Sequence, residues 1–202
     1  MVRLLEGAGA VALPLPAPVP VPAPAPAPPR PPGPAPEGTG RQLWEAASRG
    51  QVDQVQALCE RWGGHGEVIS WAHPIFGLTP LHKAYRSPQC TAILLSTPGC
   101  DVNKGTNDGQ TPLWLAAYYG FPETVQALLA APGIDINKAP TGGEEECIGK
   151  SPLIIAREGA ARGRGGCQEV VRLLEGHVRE RGLRLPEGGA GAGGAVAGGG
   201  SA

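Results

Sequence analysis

The chain has 202 residues, with 17 Lys or Arg against 18 Asp or Glu and a formal net charge of −1. That balance argues against nucleic acid or an anionic membrane as the main partner, and no stretch approaches the roughly 20 apolar residues of a membrane span. The five cysteines (Cys59, Cys90, Cys100, Cys147 and Cys167) are odd in number and form no C-x-x-C pair; this argues against a disulfide framework or a zinc ribbon and points to a reducing, cytoplasmic compartment.

Residues 1–40 read as a disordered Pro/Ala-rich arm. Within it, Val2 to Gly7 repeats Val171 to Gly176 letter for letter. The match is either a remnant of a repeat, which would make the chain a fragment of a longer array, or a coincidence in a Leu/Glu/Gly-rich sequence. Glu6 and the prolines from Pro14 onward interrupt the apolar run that a signal peptide needs. From Pro14 to Pro36, proline alternates with Ala or Val, the composition of a polyproline II helix. Two readings stay open for this stretch: a stiff spacer, or a P-x-x-P ligand for an SH3/WW-type domain with Arg30 as its one orienting charge.

Helical periodicity begins near residue 41. Leu43, Ala46 and Ala47 fall at i, i+3, i+4, Gly50 closes that helix, and Val55 and Leu58 mark a second one. Polar residues fill the remaining positions, as an end unit with one solvated side requires. Residues 61–78 read as a long loop, unusually apolar for its Trp62, Trp71, Ile75 and Phe76. Thr79-Pro80-Leu81-His82 then opens a second unit, Thr111-Pro112-Leu113-Trp114 a third and Ser151-Pro152-Leu153-Ile154 a fourth. In each, the hydroxyl residue is an N-cap and the proline sits at the first helical position, where the missing N–H costs nothing.

The third unit, Thr111 to Asn137, is the best formed. Leu113, Ala116 and Ala117 give a narrow apolar face, Gly120 ends the helix, and Val125, Leu128 and Leu129 repeat the pattern. The second unit has Tyr85 in place of the second alanine and Pro88 in place of the glycine. Its openings are 32 residues apart, while the endings L-L-S-T-P-G-C-D-V-N and L-L-A-A-P-G-I-D-I-N are offset by 34. Its second helix is therefore expected to be about two residues short and the loosest of the series. The fourth unit carries an insertion with an acidic tip (Glu144, Glu145, Glu146) before it. A second insertion, A-A-R-G-R-G, either lengthens its first helix or loops out. Its last helix shows an apolar stripe at Val170, Val171, Leu174 and Val178. From residue 184 to 202 the Gly/Ala-rich tail reads as disordered.

A helix pair of this size cannot bury its own apolar face and needs copies stacked beside it. The recurring T-P-L-H-x-A, Gly, L-L and D-V-N elements resemble the ankyrin repeat family. The resemblance implies an all-α solenoid of about four helix-turn-helix repeats, at 41–73, 74–105, 106–138 and 139–183, with the first and last acting as caps. It also implies a non-catalytic module that binds a protein partner through its concave face and loops. Mapped from Gly77 and Gly109, the variable positions of that face are Ile75, Phe76, Leu78, Arg86, Asn107, Asp108, Gln110, Tyr118 and Tyr119. In the same family the His82 imidazole is a structural group near the Thr79 hydroxyl, and Trp114 stands where that histidine is usual.

No motif for catalysis, phosphate binding or metal ligation is present: the three adjacent glutamates lie on one loop, and the spacings of His65, His73, His82 and His177 from the cysteines match no zinc pattern. No cofactor, metal or enzymatic activity is expected, and a monomer is. Arg162-Gly163-Arg164-Gly165-Gly166 resembles a piece of an RGG segment, which leaves RNA association as an alternative.

Overall fold

The computed structural model describes residues 33–182; the expectations for the Pro-rich segment before residue 33, for Val2 to Gly7 and for the Gly/Ala-rich tail lie outside the described residues. The described residues form nine α-helices and no strand: α1 (Thr39–Arg49), α2 (Val52–Trp62), α3 (Gly66–Ile69), α4 (Pro80–Lys83), α5 (Pro88–Ser96), α6 (Pro112–Tyr119), α7 (Pro122–Leu129), α8 (Pro152–Ala161) and α9 (Cys167–Glu180). They stack in two rows. The first helices α1, α4, α6 and α8 contact one another in that order, and α2, α5, α7 and α9 form the second row behind them. The expected all-α solenoid of helix pairs is what the chain builds.

The apolar positions read from the sequence form its core. Leu43, Ala46, Ala47 and Val55 in the first pair, Leu113, Ala116, Ala117, Val125, Leu128 and Leu129 in the third, and Val170, Leu174 and Val178 in α9 are all buried in one continuous cluster. The alanines let neighbouring first helices approach, and the leucines fill the space between the rows. Two of the three expected hydroxyl caps form, while Ser151 holds the N-cap position of α8 without a side-chain hydrogen bond. The Thr111 hydroxyl accepts from the Trp114 N–H (3.1 Å), and Thr79 and His82 form a reciprocal capping box.

The second pair differs from expectation. Its second helix is not short: α5 spans nine residues, one more than α7. The two missing residues come from the turn before it. After the single helical turn of α4, the chain tightens into a 3-10 turn at Ala84–Arg86. Ser87 then caps α5 directly, accepting from the Cys90 N–H (3.2 Å), with Pro88 at the first helical position. Pro88 thus starts α5 and does not replace a helix-ending glycine.

The stretch 61–78 is also more than a loop. It contains α3, whose Val68 and Ile69 are buried against the core, and Trp62 is buried with them. In the fourth pair the inserted residues do both things the sequence allowed. Helix α8 continues through Ala161, and Arg162 to Gly166 then form the turn into α9.

Candidate protein-binding face

The loops between helix pairs are tied to one another in series. Asn107 donates its side-chain Nδ2 to the Ile75 carbonyl (2.9 Å) and its backbone N–H to the Phe76 carbonyl (3.1 Å). The Asp108 carbonyl in turn accepts the N–H groups of Thr141 and Gly142, each at 3.0 Å. Lower down, Asn103 bridges two repeats: its Nδ2 donates to the Gly133 carbonyl (2.7 Å), and its Oδ1 accepts from the Asp135 N–H (2.8 Å). The D-x-N pattern closes on itself as well, since Asp101 and Asp135 each accept the N–H two residues on, a local Asx turn. The loop tips are therefore held by hydrogen bonds and not by packing alone.

On this frame the nine residues expected at the binding face divide into two groups. Ile75 and Phe76 stand out from the first tip, 70% and 57% exposed, with Asn107 and Asp108 exposed on the next tip. Arg86, Tyr118 and Tyr119 lie at the far ends of the first helices. The eight residues of α6 separate the two groups, about 12 Å at 1.5 Å per residue. Leu78 and Gln110 sit between, both half-buried. Leu78 packs against the core, and Gln110 offers its carbonyl to His82 Nε2 (3.0 Å).

The helix ends carry a run of stacked rings. Tyr85 lies parallel to Tyr119 with centroids 4.9 Å apart, Tyr119 meets Tyr118 edge-on at 5.0 Å, and Tyr118 lies parallel to Trp114 at 5.2 Å. Arg86 sits 5.8 Å over Tyr85. Of these rings Tyr119 is the exposed one, at 47%. Burial, with Tyr85 and Tyr118 beside it, pushes its phenol above the usual range, so it stays neutral and protonated near pH 7.

Tyr118 is committed within the chain. Arg164 lies 4.4 Å over its ring and donates Nη1 to its carbonyl oxygen (2.6 Å), a cation–π contact with a charge-assisted hydrogen bond. The neighbouring Arg162 pairs with Glu146 across the two insertions (3.5 Å). Both arginines of the R-G-R-G-G stretch thus have partners inside the fold. Its glycines have one too: a side chain on Gly120 would strike the Gly165 carbonyl, and one on Gly166 would strike the Gly120 carbonyl. The turn after α8 is therefore shaped to lie against the turn after α6.

A second aromatic group escaped the sequence reading. Trp44, Trp71 and His73 gather with Phe76 at the other end of the row. Trp44 lies 6.1 Å from Trp71 and 5.4 Å from His73, and His73 stacks on Phe76 at 5.2 Å. The signal was available, because Trp44 follows Leu43 as His82 follows Leu81 and Trp114 follows Leu113. The five cysteines are free. Burial raises Cys59 and pushes Cys100 up to about 12, so neither presents a reactive thiolate near neutral pH.

The family profile described as Ankyrin repeats (3 copies) matches residues 43–140. No curated protein matches the chain. No described helix is long and apolar enough to cross a membrane.

Proposed function

This chain belongs to the ankyrin repeat family, and we propose that it is a non-catalytic adaptor whose unit at 41–183 binds a protein partner through the row of first helices and the loops of its second and third repeats. The protein works as a monomer in the cytoplasm. The observation that carries this reading is the exposure of Ile75 and Phe76 on a tip that Asn107 fastens from the next repeat. Large apolar side chains held rigidly in water lose little entropy on binding and release water when covered. Tyr119 and Arg86 extend the same face, and aromatic residues and arginine are the types that dominate interface energetics.

Exposure and contacts divide the nine residues for a test: Ile75, Phe76, Arg86 and Tyr119 are free to meet a partner, whereas Leu78, Asn107, Asp108, Gln110 and Tyr118 also hold the fold. A variant with Ile75, Phe76 and Tyr119 changed to Ala removes the proposed contacts and leaves the core intact. Proximity labelling or pull-down with wild type and variant compares what each retains. An unchanged set of recovered proteins, with unchanged helicity, would show that the face is elsewhere.

A further inference from the structure

Trp44, Trp71, His73 and Pro74, with Arg41 and Glu45, line a pocket of about 240 Å³ on the first repeat. That is below the size of most small-molecule and cofactor sites, and its walls are rings. Trp44 and Trp71 stand at 67° to each other, and His73 closes the group at 88° to Trp71. Lys83 places its ammonium 5.0 Å over the Trp44 ring. Glu45 is held between Arg41 (3.0 Å) and Arg49 (3.7 Å), so the pocket offers no free carboxylate. What it offers is aromatic surface, the kind on which proline-rich segments dock.

The chain carries such a segment immediately before this pocket. Residues 14–32 alternate proline with Leu, Ala or Val up to Pro28, end in Pro-Pro-Arg-Pro-Pro and contain one charge, Arg30. The segment joins the fold at the N-terminus of α1, the helix that supplies Arg41, Trp44 and Glu45. The pocket wall reaches the first turn of α1, since Gly40, the second residue of that helix, packs so closely on Trp71 that a Cβ there would overlap the indole. Gly33 and Gly38 hold positive φ, 117° and 83°, conformations open to glycine that let the chain reverse direction. A polyproline segment rises about 3.1 Å per residue, so fewer than ten residues before Gly33 reach along the first turns of α1. A tether this short sets a high local concentration, so even a weak contact is populated.

We propose that the Trp44–Trp71–His73 pocket is an intramolecular receptor for the chain's own Pro-rich segment, residues 14–32. The segment then lies beside Phe76, at the edge of the face assigned to partners. This assignment does not depend on what that face binds.

The test uses the full chain and a full-length variant in which Pro22, Pro24, Pro26, Pro28 and Pro29 are changed to Gly, with helicity measured in both so that any effect on the fold is seen. The indole N–H resonances of Trp44 and Trp71, assigned through Trp44→Phe and Trp71→Phe, are compared in the two proteins. The expected result is a shift of both in the glycine variant, with Trp62 and Trp114 unmoved. A peptide of residues 14–32, added to the variant at millimolar concentration, is expected to restore them. Identical indole positions in the two proteins would overturn the proposal. A shift in the full chain that fades on dilution would also overturn it, by assigning the contact to a second copy.

Discussion

His82 and Trp114 occupy the same place in successive first helices and hold equivalent carbonyls of the following repeat. His82 Nε2 meets the Gln110 carbonyl at 3.0 Å, and Trp114 Nε1 donates to the Lys150 carbonyl at 2.9 Å. Gln110 and Lys150 each directly precede the N-cap position of the next first helix, Thr111 and Ser151. In these two repeats a ring nitrogen therefore ties the first helix to the start of its successor. The longer indole serves where the following loop is enlarged by the insertion before residue 150. The Thr79 N–H donates to His82 Nδ1 (3.1 Å), so Nδ1 is the acceptor and Nε2 carries the proton given to Gln110.

That arrangement uses the neutral imidazole, and burial lowers the His82 pKa from 6.5 to about 4. The folded state thus resists a proton that the unfolded state accepts. Stability from this group is fully present above pH 6.5 and is lost as pH falls through the window from 6.5 to about 4. Spread over that window the effect is on the order of 3 kcal/mol. Denaturant midpoints measured from pH 7 to 4 are expected to fall more steeply for the wild type than for His82→Gln, which has no proton to gain. Parallel curves for the two proteins would show that His82 is not the titrating group.

Trp114→Phe keeps a six-membered aromatic ring but removes the pyrrole half of the buried indole with its N–H, so a loss of packing adds to the loss of the hydrogen bond. The Lys150 carbonyl then loses its partner in a half-buried setting, at a cost of about 1–2 kcal/mol. The stacking with Tyr118 survives, so the near-ultraviolet circular dichroism of the tyrosines should be retained while the urea midpoint falls. A midpoint equal to that of wild type would mean that water satisfies the carbonyl and that the bond contributes nothing to holding the fourth repeat.

How much of this was legible in the sequence depended on whether a residue's role was local. Thr79, Thr111, Pro80, Pro112, Gly50 and Gly120 announce their places because caps and helix ends are decided within one turn. The buried stripes follow from i, i+3, i+4 spacing for the same reason. The misplaced deletion in the second repeat shows the limit. Two missing residues can come from a helix or from a turn, and the choice fell to the turn because Ser87 could cap and Pro88 could begin α5. The binding face was legible as positions but not as roles. That Tyr118 would be covered by Arg164, or that Asn107 would be spent on Ile75 and Phe76, depends on contacts 46 and 32 residues apart, which no periodicity encodes. The missed α3 is too short to show a period at all.

Gly120 and Gly133 separate two costs that are usually confounded. Both have φ of +74°, where a Cβ is strained, but a Cβ at Gly133 meets nothing within 4 Å, while one at Gly120 runs into the Gly165 carbonyl and the Cys167 backbone. Gly133→Ala is expected to cost only the left-handed conformation, about 1 kcal/mol. Gly120→Ala adds the displacement of a packed turn and should lower the melting temperature by clearly more. Equal shifts for the two variants would show that the turns after α6 and α8 do not lean on each other.

Arg162 and Arg164 lie two residues apart in the same insertion yet should respond differently. Arg162 and Glu146 are both largely exposed, and such a pair contributes between zero and about 1 kcal/mol. Arg164 holds the Tyr118 carbonyl and covers its ring, so Arg164→Ala is expected to cost about 1–2 kcal/mol. It should also change the tyrosine signal in near-ultraviolet circular dichroism, while Arg162→Ala leaves both readings unchanged within error. The same two variants weigh the RNA alternative. Salt-sensitive RNA crosslinking that both substitutions weaken equally would assign the stretch to nucleic acid; the structural role predicts that stability follows Arg164 alone.

Ser87 tests the account of the second repeat. If the missing residues were absorbed in the turn, α5 depends on Ser87 for its start, because Ser87 Oγ accepts from the Cys90 N–H and Pro88 supplies no N–H of its own. Ser87→Ala should then cost about 1 kcal/mol, the usual worth of an N-cap, and hydrogen exchange should speed up at Cys90 and Thr91 before anywhere else in the repeat. Ser87→Asp should retain most of the stability, since a carboxylate caps as well as a hydroxyl and favours the positive end of the helix. If exchange instead rose first in the last turn of α5, near Ser96, the weak point of the repeat would lie at the end of that helix and not at its start.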